Sequence, residues 1–258
     1  MHIDLMIIIV ICAFIFEFID TALGGGYGTV LTPLLLILGF VNLDIIPAIL
    51  FSEIWTGLTG AYMHHRFKNA DFSEENKKNL KILGTISILG ILATIFAVSL
   101  AITIDKTILN TYIGILVLTI GLLMLINFQY KFSWKKIGII GTISSFNKGI
   151  SGGGFGPLIT AGQVVSGRDT KNAIATALAC EFPICIVGLL TYFLFKPMTE
   201  TFRILCSLLM IGAIPGSIVA AFTVSKMKNE KNLKTLTGIF IVFLGIFVLL
   251  KTHKIIFS

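Results

Sequence analysis

Apolar residues run through this chain in long blocks, separated by short clusters of charge. Six blocks, 45–65, 79–101, 107–126, 171–195, 202–225 and 233–251, are each about 20 residues long, the helix length that crosses a ~30 Å hydrocarbon layer. Two further apolar stretches, 3–40 and 137–167, are interrupted by Gly24-Gly25-Gly26-Tyr27-Gly28 and Gly152-Gly153-Gly154-Phe155-Gly156. A continuous helix over 137–167 would be roughly 46 Å long, too long for one upright span and too short for two. A hairpin of two half-helices meeting near mid-membrane fits the length, and glycine tolerates the sharp break. Irregular backbone at that depth survives only inside protein or beside a wet cavity. Residues 3–40 read the same way, with a longer first arm.

The interruptions lie 128 positions apart (Gly24 to Gly152), and the same offset carries Phe18 onto Phe146, Glu53 onto Glu181, Gly60 onto Gly188 and Gly84 onto Gly212. The expected fold is therefore an all-α polytopic membrane protein built from two repeats, 1–128 and 129–258. Each repeat is a broken-helix hairpin plus three transmembrane helices. An odd number of full spans per repeat inserts the second upside down relative to the first, the inverted arrangement of many secondary transporters.

Composition narrows this reading. The 258 residues are 55% hydrophobic and 13% charged, where a soluble domain would carry roughly a quarter charged residues; mean hydropathy is +0.95. The net charge of +7 raises nucleic-acid binding, but the basic residues cluster in short loops, as membrane topology requires. With both hairpins entering and leaving on one side, loops at 66–81, 131–136, 168–171 and 226–234 hold most of the lysines and arginines. The other side keeps Lys106, Lys196, Arg203, Lys251 and Lys254, which places both termini outside. Tyr130 and Trp134, beside Lys131, Lys135 and Lys136, suit an interfacial belt on the basic side. The N-terminal stretch lacks a basic n-region and a cleavage site, so its helix is expected to be retained. Cys12, Cys180, Cys185 and Cys206 show no ligand spacing, which argues against disulfides and zinc. No metal or other cofactor is expected.

Candidate chemistry concentrates at the interruptions. A half-helix starting at each glycine cluster offers amide groups without intrahelical partners and a partial positive charge, and two such ends facing each other favour an anion. The candidate substrate-binding residues are Gly24, Gly25, Gly26, Tyr27, Asn147, Lys148, Ser151, Gly152, Gly153, Gly154 and Phe155. Lys148 fits no loop; an intramembrane cation needs a partner or a purpose. It either meets an anionic substrate or forms a permanent salt bridge to Asp20, its counterpart at the 128-residue offset. Glu53 and Glu181, with Asp20 and Glu17, are candidates for proton coupling; the same glutamates could instead tie spans to hairpin backbone. Gly212 and Gly216 have the spacing of a small-residue packing motif, and His64 and His65 are expected in a loop.

These residues resemble the sulfite exporter TauE/SafE family over nearly the whole chain. The carriers are the duplicated glycine motifs, Pro33, Phe155-Gly156-Pro157, Asn172-Ala173-Ile174-Ala175-Thr176 leading into Glu181, and Gly212-Ala213-Ile214-Pro215-Gly216. The resemblance implies transport of sulfite or small organosulfonates across the plasma (inner) membrane. The first repeat has Asp20 and Thr21 where the second has Lys148 and Gly149, so the site is asymmetric in charge.

The leading expectation is a secondary transporter of a small anion working by alternating access with the halves rocking, with proton coupling as an option and a homodimer left open. The alternative is a cation or proton transporter using the four carboxylates. An intramembrane enzyme is disfavoured, since no nucleophile–base pair or metal-ligand cluster is visible. The expected partners are the substrate and the lipid bilayer, not nucleic acid.

Overall fold

The computed structural model describes residues 3–72, 77–126, 133–165, 168–226 and 231–253. Among them lie ten helices and no strand: α1 (Ile3–Leu23), α2 (Tyr27–Ile37), α3 (Asn42–Arg66), α4 (Lys77–Thr103), α5 (Lys106–Leu125), α6 (Trp134–Ser151), α7 (Phe155–Val165), α8 (Thr170–Phe195), α9 (Glu200–Lys226) and α10 (Lys231–Thr252). Six of these, α1, α3, α4, α5, α8 and α9, are long and apolar enough to cross a membrane. Tyr130, Lys131, Lys228 and Lys254, used above for the interfacial belt and the charge distribution, fall outside the described residues.

The glycine clusters interrupt the chain where the sequence places them, but the arms are unequal. α1 has 21 residues and α6 has 18, about 31 and 27 Å of helix, whereas α2 and α7 have 11 each, about 16 Å. Each hairpin therefore joins one near-full-length arm to one half-length arm. The second break opens with Gly152 in the left-handed conformation (φ 71°), its N–H bonded to the Lys148 carbonyl at 2.8 Å, a helix ending that glycine adopts without strain.

Side chains that are small or absent set the helix pairings. α9 lies against α1 because Gly212 and Gly216 let its backbone approach Val10 and Phe14. α4 and α6 close the same way through Gly90 and Gly149. α1, α9, α3, α8, α4 and α6 thus form a row in which each helix packs on the next. α5 and α10 pack chiefly on each other, with Gly114 against Leu249 and Gly245 against Leu118. This pair touches the rest of the bundle mainly through α2, α6 and α7.

At the centre the two breaks cross. A Cβ on Gly28 would collide with the Gly152 carbonyl oxygen, one on Gly25 with Pro157, and one on Gly153 would lie 2.6 Å from the Thr29 nitrogen. Overfilling such a contact costs about 1–3 kcal/mol. Gly28→Ala and Gly153→Ala are therefore expected to lower the melting temperature of the purified protein. Gly84→Ala, where a Cβ meets nothing within 4 Å, is expected to leave it unchanged or slightly higher.

Candidate functional site

The crossing has two faces with different chemistry. On one, Lys148 leaves α6 between α3 and α8, its Nζ 2.5 Å from Glu53 Oε2 and 3.1 Å from Glu181 Oε1. Glu53 sits near the middle of the 25-residue α3 and Glu181 near the middle of the 26-residue α8, so the triad lies at the mid-depth of the bundle. All three residues are at most 2% exposed. The sequence left a Lys148–Asp20 bridge open, but the ion-pair partners of the lysine are the two glutamates instead. A lysine side chain leaving α6 between two packed helices reaches the acids that project into that same gap.

Asp20 has a different task. One carboxylate oxygen accepts the Tyr27 N–H at 2.9 Å, and its backbone carbonyl accepts the N–H groups of Gly24 and Gly25 at 2.6 and 3.0 Å. The Tyr27 amide at the start of α2 is therefore occupied by the protein's own acid, which differs from the expectation of a bare helix end. Glu17 accepts from Thr21 Oγ1 at 2.9 Å, and Tyr27 Oη pairs with Ser52 Oγ at 3.0 Å, next to Glu53. Glu17 and Asp20 also interact electrostatically with the Glu53–Lys148–Glu181 group. Two carboxylates thus hold the lysine and two more lie close to that group, and a second oxygen on each of Glu17 and Glu53 has no hydrogen-bond partner.

The other face of the crossing points to α5. Tyr112 donates to Asn147 Oδ1, and Ser151 Oγ donates to the Asn147 carbonyl at 2.7 Å. Asn147 and Ser151 therefore lie on the α5 side while Lys148 reaches α3 and α8. Two threonines of α2, which the sequence reading passed over, stitch the breaks together: Thr32 donates to the Ser151 carbonyl at 2.8 Å, and Thr29 Oγ1 accepts the Gly154 N–H at 3.0 Å. Thr160 adds a bond to the Gly24 carbonyl at 2.6 Å. Gly28, Thr29, Thr32, Ser151, Gly153 and Gly154 form one wall of a seam against Ile113, Leu116 and Val117 of α5. Nowhere is the seam wide enough for a water molecule. Tyr27 and Phe155 are fully buried at the starts of α2 and α7. The signal that could have found Thr29 and Thr32 was their place directly after the first glycine motif, one helical turn apart.

His64 also departs from expectation. It lies in the last turn of α3, fully buried, with Nε2 2.9 Å from the Thr21 carbonyl. It anchors the α3 end to the first hairpin. Among the described residues no cluster of His, Cys, Asp and Glu could hold a metal ion.

A buried base pinned by two acids, amid broken helices in a bundle of membrane-crossing length, defines a multi-pass membrane protein with an ionisable interior, the usual mark of a solute or ion pathway. A profile described as sulfite exporter TauE/SafE matches residues 9–248. The probable membrane transporter protein YtnM of Bacillus subtilis (strain 168) is 26% identical over 241 residues, covering 89% of this chain and 77% of that protein. No solved structure matches the chain. The protein belongs to the sulfite exporter TauE/SafE family and is a multi-pass membrane transporter.

Proposed function

We propose that this transporter carries a small anion, sulfite or an organosulfonate, across the membrane by alternating access coupled to protons. The observation that carries the reading is Lys148, the one buried lysine among the described residues, held between Glu53 and Glu181. With both glutamates ionised the triad has a net charge of −1. Protonating one glutamate weakens its hold on Lys148 and brings the triad to neutrality. A monovalent anion that then pairs with the lysine returns the charge to −1. One proton per monovalent anion therefore keeps the buried charge constant, which is the condition for moving an anion through a low-dielectric interior at modest electrostatic cost. Asn147 and Ser151 supply neutral donors on the α5 side when the closed seam opens, and the same opening frees the amides of Gly153 and Gly154, now bonded to Ser151 Oγ and Thr29 Oγ1.

Two repeats of opposite orientation are part of the proposal. Its support is that exchanging α1–α5 for α6–α10 turns the α1–α9 contact into α6–α4, α3–α9 into α8–α4, and α2–α10 into α7–α5, all of which are present. The same contacts argue against the halves rocking as separate bodies, because nearly every long interface joins one half to the other. The α5–α10 pair, which touches its surroundings mainly through the broken helices, is the better candidate for the moving part.

The test is uptake of radiolabelled sulfite, sulfoacetate, taurine and sulfate into proteoliposomes, with and without a pH gradient. Acid on the side of anion addition is expected to accelerate uptake of at least sulfite or sulfoacetate. Uptake indifferent to the gradient would remove the coupling, and no uptake of any of the four would remove the anion. The surplus of carboxylates over lysine favours a second reading, in which the cargo is a cation or the proton itself. In that case Asp20→Lys abolishes cation flux while anion flux persists.

A further inference from the structure

Outside the transport pathway, α4 and α6 leave a groove of about 430 Å³ on the outer surface of the bundle. Its floor is apolar, built by Leu89, Ile139 and Ile143, and Gly138 leaves room between the helices. Ile139 and Ile143 are half exposed, as side chains facing lipid would be. One end is basic. The Lys81 ammonium sits 4.7 Å over the ring of Trp134, Lys135 lines the same end, and Lys77 and Lys78 lie one turn before Lys81. From Trp134 to Ile143 the groove follows roughly 14 Å of helix, close to half of the ~30 Å hydrocarbon thickness.

We propose that this groove is a binding site for one anionic diacyl phospholipid. The headgroup phosphate pairs with Lys81 and Lys135, and an acyl chain lies along Leu89, Ile139 and Ile143. Trp134 sits at the level where indole favours the boundary between headgroups and chains, and its stacking on Lys81 holds the ammonium in place instead of leaving it to wander in solvent. A groove one leaflet deep with cations at one end and alkyl side chains along its length matches the two chemistries of such a lipid. The counterparts at the 128-residue offset, Met6, Ile7 and Leu209, carry no charge, so the site belongs to this face alone.

The chain has two tryptophans, Trp55 and Trp134, which makes the test direct. In a Trp55→Phe variant, Trp134 fluorescence is followed in phosphatidylcholine vesicles doped with brominated phosphatidylglycerol. Quenching by brominated phosphatidylglycerol is expected to exceed that by brominated phosphatidylcholine at equal mole fraction. Unbrominated phosphatidylglycerol reverses it, whereas inorganic phosphate does not. Each of Lys81→Gln and Lys135→Gln weakens the preference by roughly fivefold, the worth of one lysine near an anionic headgroup. Trp55, 45% exposed on α3, should show no headgroup preference in the Trp134→Phe variant. Equal quenching of Trp134 by both lipids, reversal by free phosphate, or a preference that survives loss of both lysines would overturn the proposal. None of these outcomes depends on what the protein transports.

Discussion

Lys148→Met is expected to abolish anion transport in proteoliposomes and to lower the stability of the protein at the same time. Removing the ammonium leaves Glu53 and Glu181 facing each other at 1% and 2% exposure, and stranding one side of a buried pair costs about 3–5 kcal/mol. A loss of flux alone could then come from a poorly folded protein. The variant that separates the two effects is Lys148→Met combined with Glu53→Gln and Glu181→Gln. Neutral groups of similar shape replace the triad there, so the melting temperature is expected to recover toward that of the parent. Flux is expected to stay at background, because no cation remains to receive the anion. A triple variant that regains transport would remove the lysine from the mechanism. Glu53→Gln alone is expected to fold well and to lose sensitivity of uptake to the pH gradient, since one acid of the pair no longer exchanges a proton.

The second large effect is expected from tying α5 to the row of helices behind it. Asn42 at the start of α3 donates to Asn110 of α5 at 2.6 Å, whereas Thr111 of α5 and His253 just beyond α10 are 3.2 Å apart. With Cys12, the one cysteine of the four that is not buried, replaced by Ala, two cysteine pairs can be compared. A short thiol cross-linker joining Asn42→Cys to Asn110→Cys is expected to stop transport reversibly. The same reagent joining Thr111→Cys to His253→Cys is expected to leave most of it, because that bond lies within the pair proposed to move. Transport unaffected by the first cross-link would mean that α5 stays put and that access alternates elsewhere.

Much of this molecule is legible along the chain, for identifiable reasons. The spans appear because bilayer thickness fixes helix length: the block at 79–101 became Lys77–Thr103, and that at 171–195 became Thr170–Phe195. The breaks appear because three adjacent glycines leave the backbone little to hold it helical. Glu53, Lys148 and Glu181 stand out singly, since charge at mid-membrane is rare enough to need a reason. What the one-dimensional pattern lacks is direction. Nothing in Asn147-Lys148 says that neighbouring side chains diverge toward different partners, one to Tyr112 and the other to two glutamates on α3 and α8. Nor does the glycine motif reveal that Asp20 fills the helix end that looked open, because that depends on how tightly the chain folds back over Tyr27. The threonines of α2 were hidden for a related cause: a hydroxyl in an apolar helix usually bonds its own backbone, and only the crossing shows that theirs reach the other hairpin.

The lone lysine between matched glutamates also bears on how such a protein can come to exist. Two identical half-length chains associating as a pair would carry either two ammonium groups or none at this point. If the two repeats proposed above share one origin, an odd cation between twin acids means that they are no longer copies of one another. Joining them in one polypeptide guarantees that each molecule receives one aspartate-bearing hairpin and one lysine-bearing hairpin, never two of a kind.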